Sequence, residues 1–144
     1  MLEGGCACGA IRYRLKVDPY DTGWCHCRIC QRVSGTGGMI FTTVPLSAFH
    51  IERGEDSFGQ FRSTPFGSRT CCFDCGAPLT IHVRHQPDEI DIAVGSLDDP
   101  EAVAPEFHLY AAAAPPWALP NDGLPRYDAL RPATRGLEPG QTEA

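Results

Sequence analysis

Three thiols fall within six residues in Trp24-Cys25-His26-Cys27-Arg28-Ile29-Cys30, and a glycine-rich stretch, Gly35-Thr36-Gly37-Gly38, follows at once. Three soft ligands on one short segment can grip a metal ion without enclosing it. The other five of the eight cysteines form two clusters, Cys6-Ala7-Cys8 and Cys71-Cys72-Phe73-Asp74-Cys75. A structural zinc takes four ligands in a tetrahedron, and two short two-thiol turns from distant parts of a chain commonly supply them. Cys72-Phe73-Asp74-Cys75-Gly76 is such a turn, because two intervening residues let both sulfurs face one ion and the glycine permits the bend. In Cys6-Ala7-Cys8-Gly9 the two thiols share one side of an extended segment. Pairing these turns gives a closed site of Cys6, Cys8, Cys72 and Cys75.

That pairing leaves Cys25, Cys27 and Cys30 together with Cys71. Three protein ligands and a free position make a catalytic zinc, whereas a fourth protein ligand makes a second structural one. Extended backbone sends residues 71 and 72 to opposite faces, so Cys71 is either a small buried residue or a ligand that reaches round to the central segment. The first outcome is an enzyme with an open metal position. The second is a non-catalytic, zinc-folded interaction module. His26 lies between two ligands, points away from their metal by alternation, and reads as a surface or hydrogen-bonding residue. His108, between Phe107 and Leu109, is either a proton carrier near the site or a satisfied histidine on a half-buried strand. His50, His82 and His85 lie on polar faces and receive no role.

The elements that must position these residues are short. Residues 10–17 alternate strictly, with Ile11, Tyr13, Leu15 and Val17 opposite Arg12, Arg14 and Lys16, as in a half-buried strand. Residues 39–44 form a second strand stopped by Pro45, and shorter runs follow around Phe49 and Ile51, Phe58 to Arg62, Leu79 to Val83, and Ile90 to Val94. Turn residues at even spacing separate them, which predicts antiparallel sheets rather than βαβ units. The central cysteine segment reads as a loop. The one helix start is Asp98-Asp99-Pro100-Glu101, with an aspartate cap and proline at the first helical position, for a turn or two at most. Trp117, Leu124 and Tyr127 are expected as anchors on the sheet, and residues 129–144 as a mobile tail.

At 144 residues and 42% apolar content the chain suits one domain with one core, placed at residues 1–128. A net charge of −6 offers no broad field for phosphates, so nucleic acid is not an expected partner. The cationic face of Arg12, Arg14 and Lys16 reads as solvation of a wet sheet face, with a salt-sensitive nucleic-acid stripe as its alternative. The start shows no basic stretch followed by an apolar one, and no run of about 18 apolar residues occurs, so a cytoplasmic protein without a membrane span is expected. In a reducing compartment, closely spaced thiols are metal ligands more often than disulfides.

These residues resemble the glutathione-dependent formaldehyde-activating family, which includes the centromere protein V type of domain. The matching stretches are Gly4-Gly5-Cys6-x-Cys8-Gly9-x-Ile11-Arg12-Tyr13, Cys25-His26-Cys27-x-x-Cys30-Gln31-x-x-Ser34-Gly35 and Cys72-x-x-Cys75-Gly76-x-x-Leu79. Gly95-Ser96-Leu97-Asp98-Asp99-Pro100, Pro105-Glu106-Phe107-His108 and Trp117-x-x-x-x-Asp122-Gly123-Leu124-Pro125 fit the family's later part. The resemblance implies a mainly β, zinc-pinned β-tent of antiparallel sheets with at most a short helix. It implies two zincs per chain, a structural one on Cys6, Cys8, Cys72 and Cys75 and an exchangeable one on Cys25, Cys27 and Cys30. The chain departs from the family at Cys71, where an aromatic residue is common.

The activity so implied is that of a carbon-sulfur lyase, joining glutathione to formaldehyde or cleaving the adduct. A zinc with a vacant position lowers the pKa of a bound thiol, and the thiolate can add to an aldehyde carbonyl. Three thiolates soften the ion's Lewis acidity and favour a thiol substrate over amide hydrolysis. Glutathione or a similar small thiol and an aldehyde are then the partners. Arg28, Arg32 and the amides of the glycine stretch, Gly37 among them, are the candidates for holding glutathione's two carboxylates.

Overall fold

The computed structural model describes residues 1–138 and 141. It is mainly β, with ten strands in two sheets and one short α-helix. In chain order these are β1 (Leu2–Gly5), β2 (Arg12–Leu15), β3 (Tyr20–Cys25), α1 (Arg28–Ser34), β4 (Met39–Pro45), β5 (Phe49–Arg53), β6 (Phe58–Thr64), β7 (Gly67–Cys72), β8 (Pro78–Val83), β9 (Glu89–Ala93) and β10 (His108–Leu109). The smaller sheet runs β1-β2-β5, and the larger runs β10-β3-β4-β9-β8-β7-β6. Every pairing is antiparallel except that of β10 with β3.

Alternation decides which side of the large sheet each residue serves. Tyr13 and Leu15 of the small sheet, and Ile11 just before β2, are fully buried and cluster with Val44, Ile90, Ile92, Leu79 and Cys72 of the large one. Intervening residues of β4 and β9, Phe41, Thr43 and Asp91, line a cavity instead. Burial of the first set drives the sheets together, each large aliphatic side chain contributing about 1.5–3 kcal/mol. The polar side of β2 is neutralised locally: Arg12 is bound to both carboxylate oxygens of Asp98, and Arg14 meets Glu52 at 2.6 Å. Two of the three cations of this face therefore already have anionic partners, which disfavours the nucleic-acid stripe.

The helix lies elsewhere than the sequence reading placed it. Asp99 does cap a turn by accepting from the Glu101 amide, but Pro100–Ala102 is a single 3₁₀ turn. The α-helix starts instead inside the central cysteine segment, where Cys27 occupies the cap position and its sulfur accepts the Cys30 amide at 3.3 Å. Gly35 ends it at φ 75°, its N–H returning to the Gln31 carbonyl. A two-residue spacing between thiols thus serves as a helix cap in the manner of serine or aspartate. Strand β3, which contains Trp24 and Cys25, also escaped the sequence reading, because Asp21 and Gly23 interrupt its pattern.

The C-terminal segment folds back across the large sheet. Tyr127 and Ala129 accept or donate backbone hydrogen bonds with His108, Tyr110 and Ala111. In the stretch expected as a tail, Arg131 lies over the Phe107 ring at 4.1 Å, and Arg135 pairs with both Asp21 and Glu89. Residues 139, 140 and 142–144 of that stretch lie outside the described residues. Trp117 is 75% exposed, its ring edge and the neighbouring Ala118 set against Gly37, so it does not anchor on the sheet. No helix among the described residues is long and apolar enough to cross a membrane.

Candidate metal centre

All eight cysteines are free thiols, and seven of them converge into two groups. In the first, Cys6 and Cys8 come from the turn after β1, Cys72 from the end of β7 and Cys75 from the turn that follows it. All four sulfurs lie within 4.8 Å of one another. Gly9 and Gly76 close the two turns at positive φ, +81° and +78°, where a side chain would be strained. Two zinc-sulfur bonds of about 2.3 Å at a tetrahedral angle set sulfurs about 3.8 Å apart. The Cys6–Cys8 and Cys8–Cys72 distances are 3.6 and 3.8 Å, so the donor set fits a tetrahedral ion.

The second group is Cys25 at the end of β3, Cys27 at the helix cap and Cys30 on the first turn of α1, again within 4.8 Å. The thiols hydrogen-bond to one another, which pulls Cys27 far below the usual thiol range and holds Cys25 well above it. Such a cluster ionises fully only when a cation neutralises it. Cys71 joins neither group. It lines a small recess with Val33, Met39, Phe61, Arg69 and Pro78, while its neighbour Cys72 is buried in the core between the sheets.

The three-thiol group opens on a cavity of about 250 Å³, and none of the four-thiol group lines it. Arg69, on β7 and 4% exposed, reaches across the sheet with Nη2 3.2 Å from the Cys30 sulfur. Its remaining contacts are Ser63 Oγ, Met39 Sδ and the Phe41 ring, so among the described residues it is paired with no carboxylate, and its charge acts on the thiol group, where it helps to lower the Cys27 pKa. Sequence reasoning missed Arg69, because only the register Phe61–Arg69–Ile81–Asp91 carries it to this row of the sheet.

A chain of buried imidazoles braces the cysteine segment from behind. His26 donates from Nδ1 to the Gly37 carbonyl at 2.9 Å, its Nε2 meets His108 Nδ1 at 2.9 Å, and His108 Nε2 meets Asp122 at 2.9 Å. Both rings are 0% exposed and stack with Trp24. The Gly37 carbonyl can only accept, so His26 carries a proton on Nδ1, and burial lowers the His26 pKa and disfavours a second proton on that ring. His26 is therefore a buried hydrogen-bonding residue, and Asp122 its indirect partner. Gln31 adds a further tie, donating to the His26 carbonyl at 2.8 Å and the Ala113 carbonyl at 3.0 Å.

The residues expected to hold glutathione are placed outside this cavity. Arg28 and Arg32 are exposed on α1 and do not line it, and the Arg28 guanidinium is bound to Gln31 Oε1. Gly37 is buried, its carbonyl occupied by His26 and its Cα covered by Ala118.

Comparison with known proteins gives a family and a likeness of fold. Residues 1–113 match the family model described as glutathione-dependent formaldehyde-activating enzyme. A protein of Halomonas elongata named "Putative glutathione-dependent formaldehyde-activating enzyme" is 27% identical over 124 residues, covering 81% of this chain and 79% of its own. An uncharacterized lyase of Schizosaccharomyces pombe is 27% identical over 82 residues, 54% of each chain. A crystal structure of a Rhodobacter sphaeroides protein superposes with a TM-score of 0.60 at 24% identity, over 72% of this chain and 91% of that one, which is a likeness of fold.

Proposed function

The chain belongs to the glutathione-dependent formaldehyde-activating enzyme family, and we propose that it makes or breaks the carbon-sulfur bond between a small thiol and an aldehyde, with zinc on Cys25, Cys27 and Cys30. The observation that carries this reading is the placement of three thiols, and not four, on the wall of a cavity of about 250 Å³. Glutathione and formaldehyde are the pair the family's name gives. The four-thiol group, away from the cavity, is read as a structural zinc site that ties the turn after β1 to the turn after β7.

When bound to three thiolates, zinc supplies a position at which a fourth sulfur is held as thiolate near neutral pH. The protein's own residues do the rest. Arg69 sets its positive charge against the Cys30 sulfur and offsets the surplus negative charge of the thiol group. The bracing chain Gly37–His26–His108–Asp122 fixes the segment between Cys25 and Cys27, so the sulfurs keep their mutual geometry during turnover. Phe41, Phe107 and Leu109 wall the cavity and exclude water from the reacting carbon. In the synthetic direction the substrate sulfur's lone pair forms the carbon-sulfur bond, the carbonyl π pair moves to oxygen, and that oxygen takes a proton from solvent. Cleavage is the reverse.

The test follows exchange of ¹³C-formaldehyde between its free and thiol-bound forms by NMR. Metal-loaded protein is expected to accelerate exchange above the uncatalysed rate, and Cys27→Ala to abolish the acceleration while one metal per chain is retained. Exchange that is not accelerated by fully loaded protein, or that survives Cys27→Ala, would refute the reading.

A further inference from the structure

The cavity beside the three thiols has a second polar feature at a distance from them. Asp91 on β9 stands opposite Thr43 on β4 and Ile81 on β8, on the side of the sheet that faces the cavity. One of its oxygens accepts the Thr43 hydroxyl at 2.7 Å, and among the described residues nothing pairs with the other. Thr64 Oγ1, also on the cavity wall, is buried without a partner. Most of the remaining surface is apolar, from Phe41, Phe66, Ile81, Val83 and Leu130.

Among the described residues, the arginines of the cavity are all engaged. Arg69 is held against Cys30, Arg131 lies 3.5 Å from Asp21, and Arg135 pairs with Asp21 and Glu89. Three thiolates around a divalent ion leave one negative charge, which Arg69 offsets, and Arg131 and Arg135 offset Asp21 and Glu89. Asp91 is the charge left over. A ligand carboxylate entering this space would lose its water, find no free arginine, and face an unpaired anion. A ligand amine or hydroxyl would instead complete a hydrogen bond that the fold leaves open. Burial pushes the Asp91 carboxyl up to about 6, so the fold carries a destabilised carboxylate at a position where an apolar residue would pack. Costly polar groups of this kind are retained where a ligand uses them.

On the carbon-sulfur reading above, we propose that the preferred thiol carries an apolar arm ending in a hydrogen-bond donor, neutral or cationic, which Asp91 receives, and that glutathione, whose two carboxylates outnumber its one ammonium, fits this cavity less well than a thiol without carboxylates. Met39, opposite Cys25, and Thr43, opposite Asp91, are four residues apart on β4, about 13 Å of strand. The arm must therefore bridge a substantial gap, as an aromatic ring or several methylenes would.

The test uses protein whose labile metal is replaced by cobalt(II), so that thiol binding is read from the visible spectrum without turnover. Two isosteric probes, 4-(mercaptomethyl)benzylamine and 4-(mercaptomethyl)benzoic acid, are compared with glutathione. The amine is expected to bind at least about tenfold more tightly than the acid or glutathione, the size expected of a charge-assisted hydrogen bond. Asp91→Asn, which keeps the Thr43 hydrogen bond, should bring the amine and the acid within about threefold of each other. Binding of glutathione or the acid as tight as that of the amine in wild-type protein would overturn this inference alone, and that comparison needs no variant. An unchanged amine preference in Asp91→Asn would do the same. If no thiol altered the cobalt spectrum, the carbon-sulfur reading would fall and this inference with it.

Discussion

Replacing Arg69 by methionine should weaken metal binding at Cys25, Cys27 and Cys30 and leave the four-cysteine site untouched. The guanidinium is 3.2 Å from the Cys30 sulfur and 4% exposed. At an effective dielectric of about 20 that separation corresponds to about 5 kcal/mol of gross attraction to a thiolate. After the desolvation of both groups, a charge-assisted hydrogen bond of this kind is worth about 1.5–3 kcal/mol. Only the ionised sulfur binds metal, so the loss appears in the binding constant, as about a 10- to 100-fold weakening. Methionine fills much of the same volume, and the neighbouring Met39 and Phe41 accept it without an unpaired polar atom. The assay is a competition titration of the fully loaded protein against chelators of graded strength. Cys6, Cys8, Cys72 and Cys75 lie on the far side of β7 and act as an internal reference. Equal weakening at both sites would mean general destabilisation, and unchanged affinity at the three-cysteine site would mean that Arg69 does not stabilise its thiolates; either result refutes the argument.

Two further consequences are measurable. A carboxyl raised from 3.8 to about 6 by burial is penalised in the folded state above its folded pKa, and the penalty fades as pH falls toward the unfolded value. Asp91→Asn should therefore stabilise the protein by up to about 3 kcal/mol at pH 8 and by about half as much at pH 5. Urea denaturation of both proteins at each pH checks this, and a gain that grew on acidification would contradict it. In the histidine chain, burial holds His26 below the ordinary imidazole range, so ¹⁵N spectra near neutral pH should show its ring neutral, with the proton on the Nδ1 that donates to Gly37. A doubly protonated His26 ring, or a neutral one with its proton on Nε2, would contradict this.

How much of this was legible in the sequence depends on how far apart the cooperating residues lie. The cysteine groups were legible because each turn sets the direction of its own two or three thiols over a few residues, and only the pairing of turns had to be inferred. The strands around Tyr13, Thr42 and Ile92 were legible because one buried face imposes a period of two. Helix α1 was not, since seven residues give too little periodicity and its cap is a cysteine rather than serine or aspartate. Asp91 and Arg69 were invisible for a different reason. Each sits in an ordinary alternating strand, and their shared place beside the cavity follows from the register of β9, β8 and β7. The same holds for Asp122, which meets His108 only because the C-terminal segment returns to β10.

Register also explains how one short strand can serve two centres. Cys72 points into the core and joins the four-thiol group, whereas Cys71 and Arg69 face the other side of β7, toward α1 and the three-thiol group. A one-residue slip of β7 would exchange these sides, removing Cys72 from its group and withdrawing Arg69 from Cys30. The two-residue turn Cys72–Cys75, whose sulfurs lie within 4.8 Å of those of Cys6 and Cys8, opposes that slip. A metal that tied these four thiols together would therefore also fix the register of β7, and with it the place where Arg69 meets Cys30. Loss of the four-thiol group through Cys75→Ala is thus expected to reduce metal affinity at Cys25, Cys27 and Cys30 as well, although none of those residues touches it. Chelator competition on that variant decides the point: a three-cysteine site of unaltered affinity would show that β7 keeps its register without the closed site.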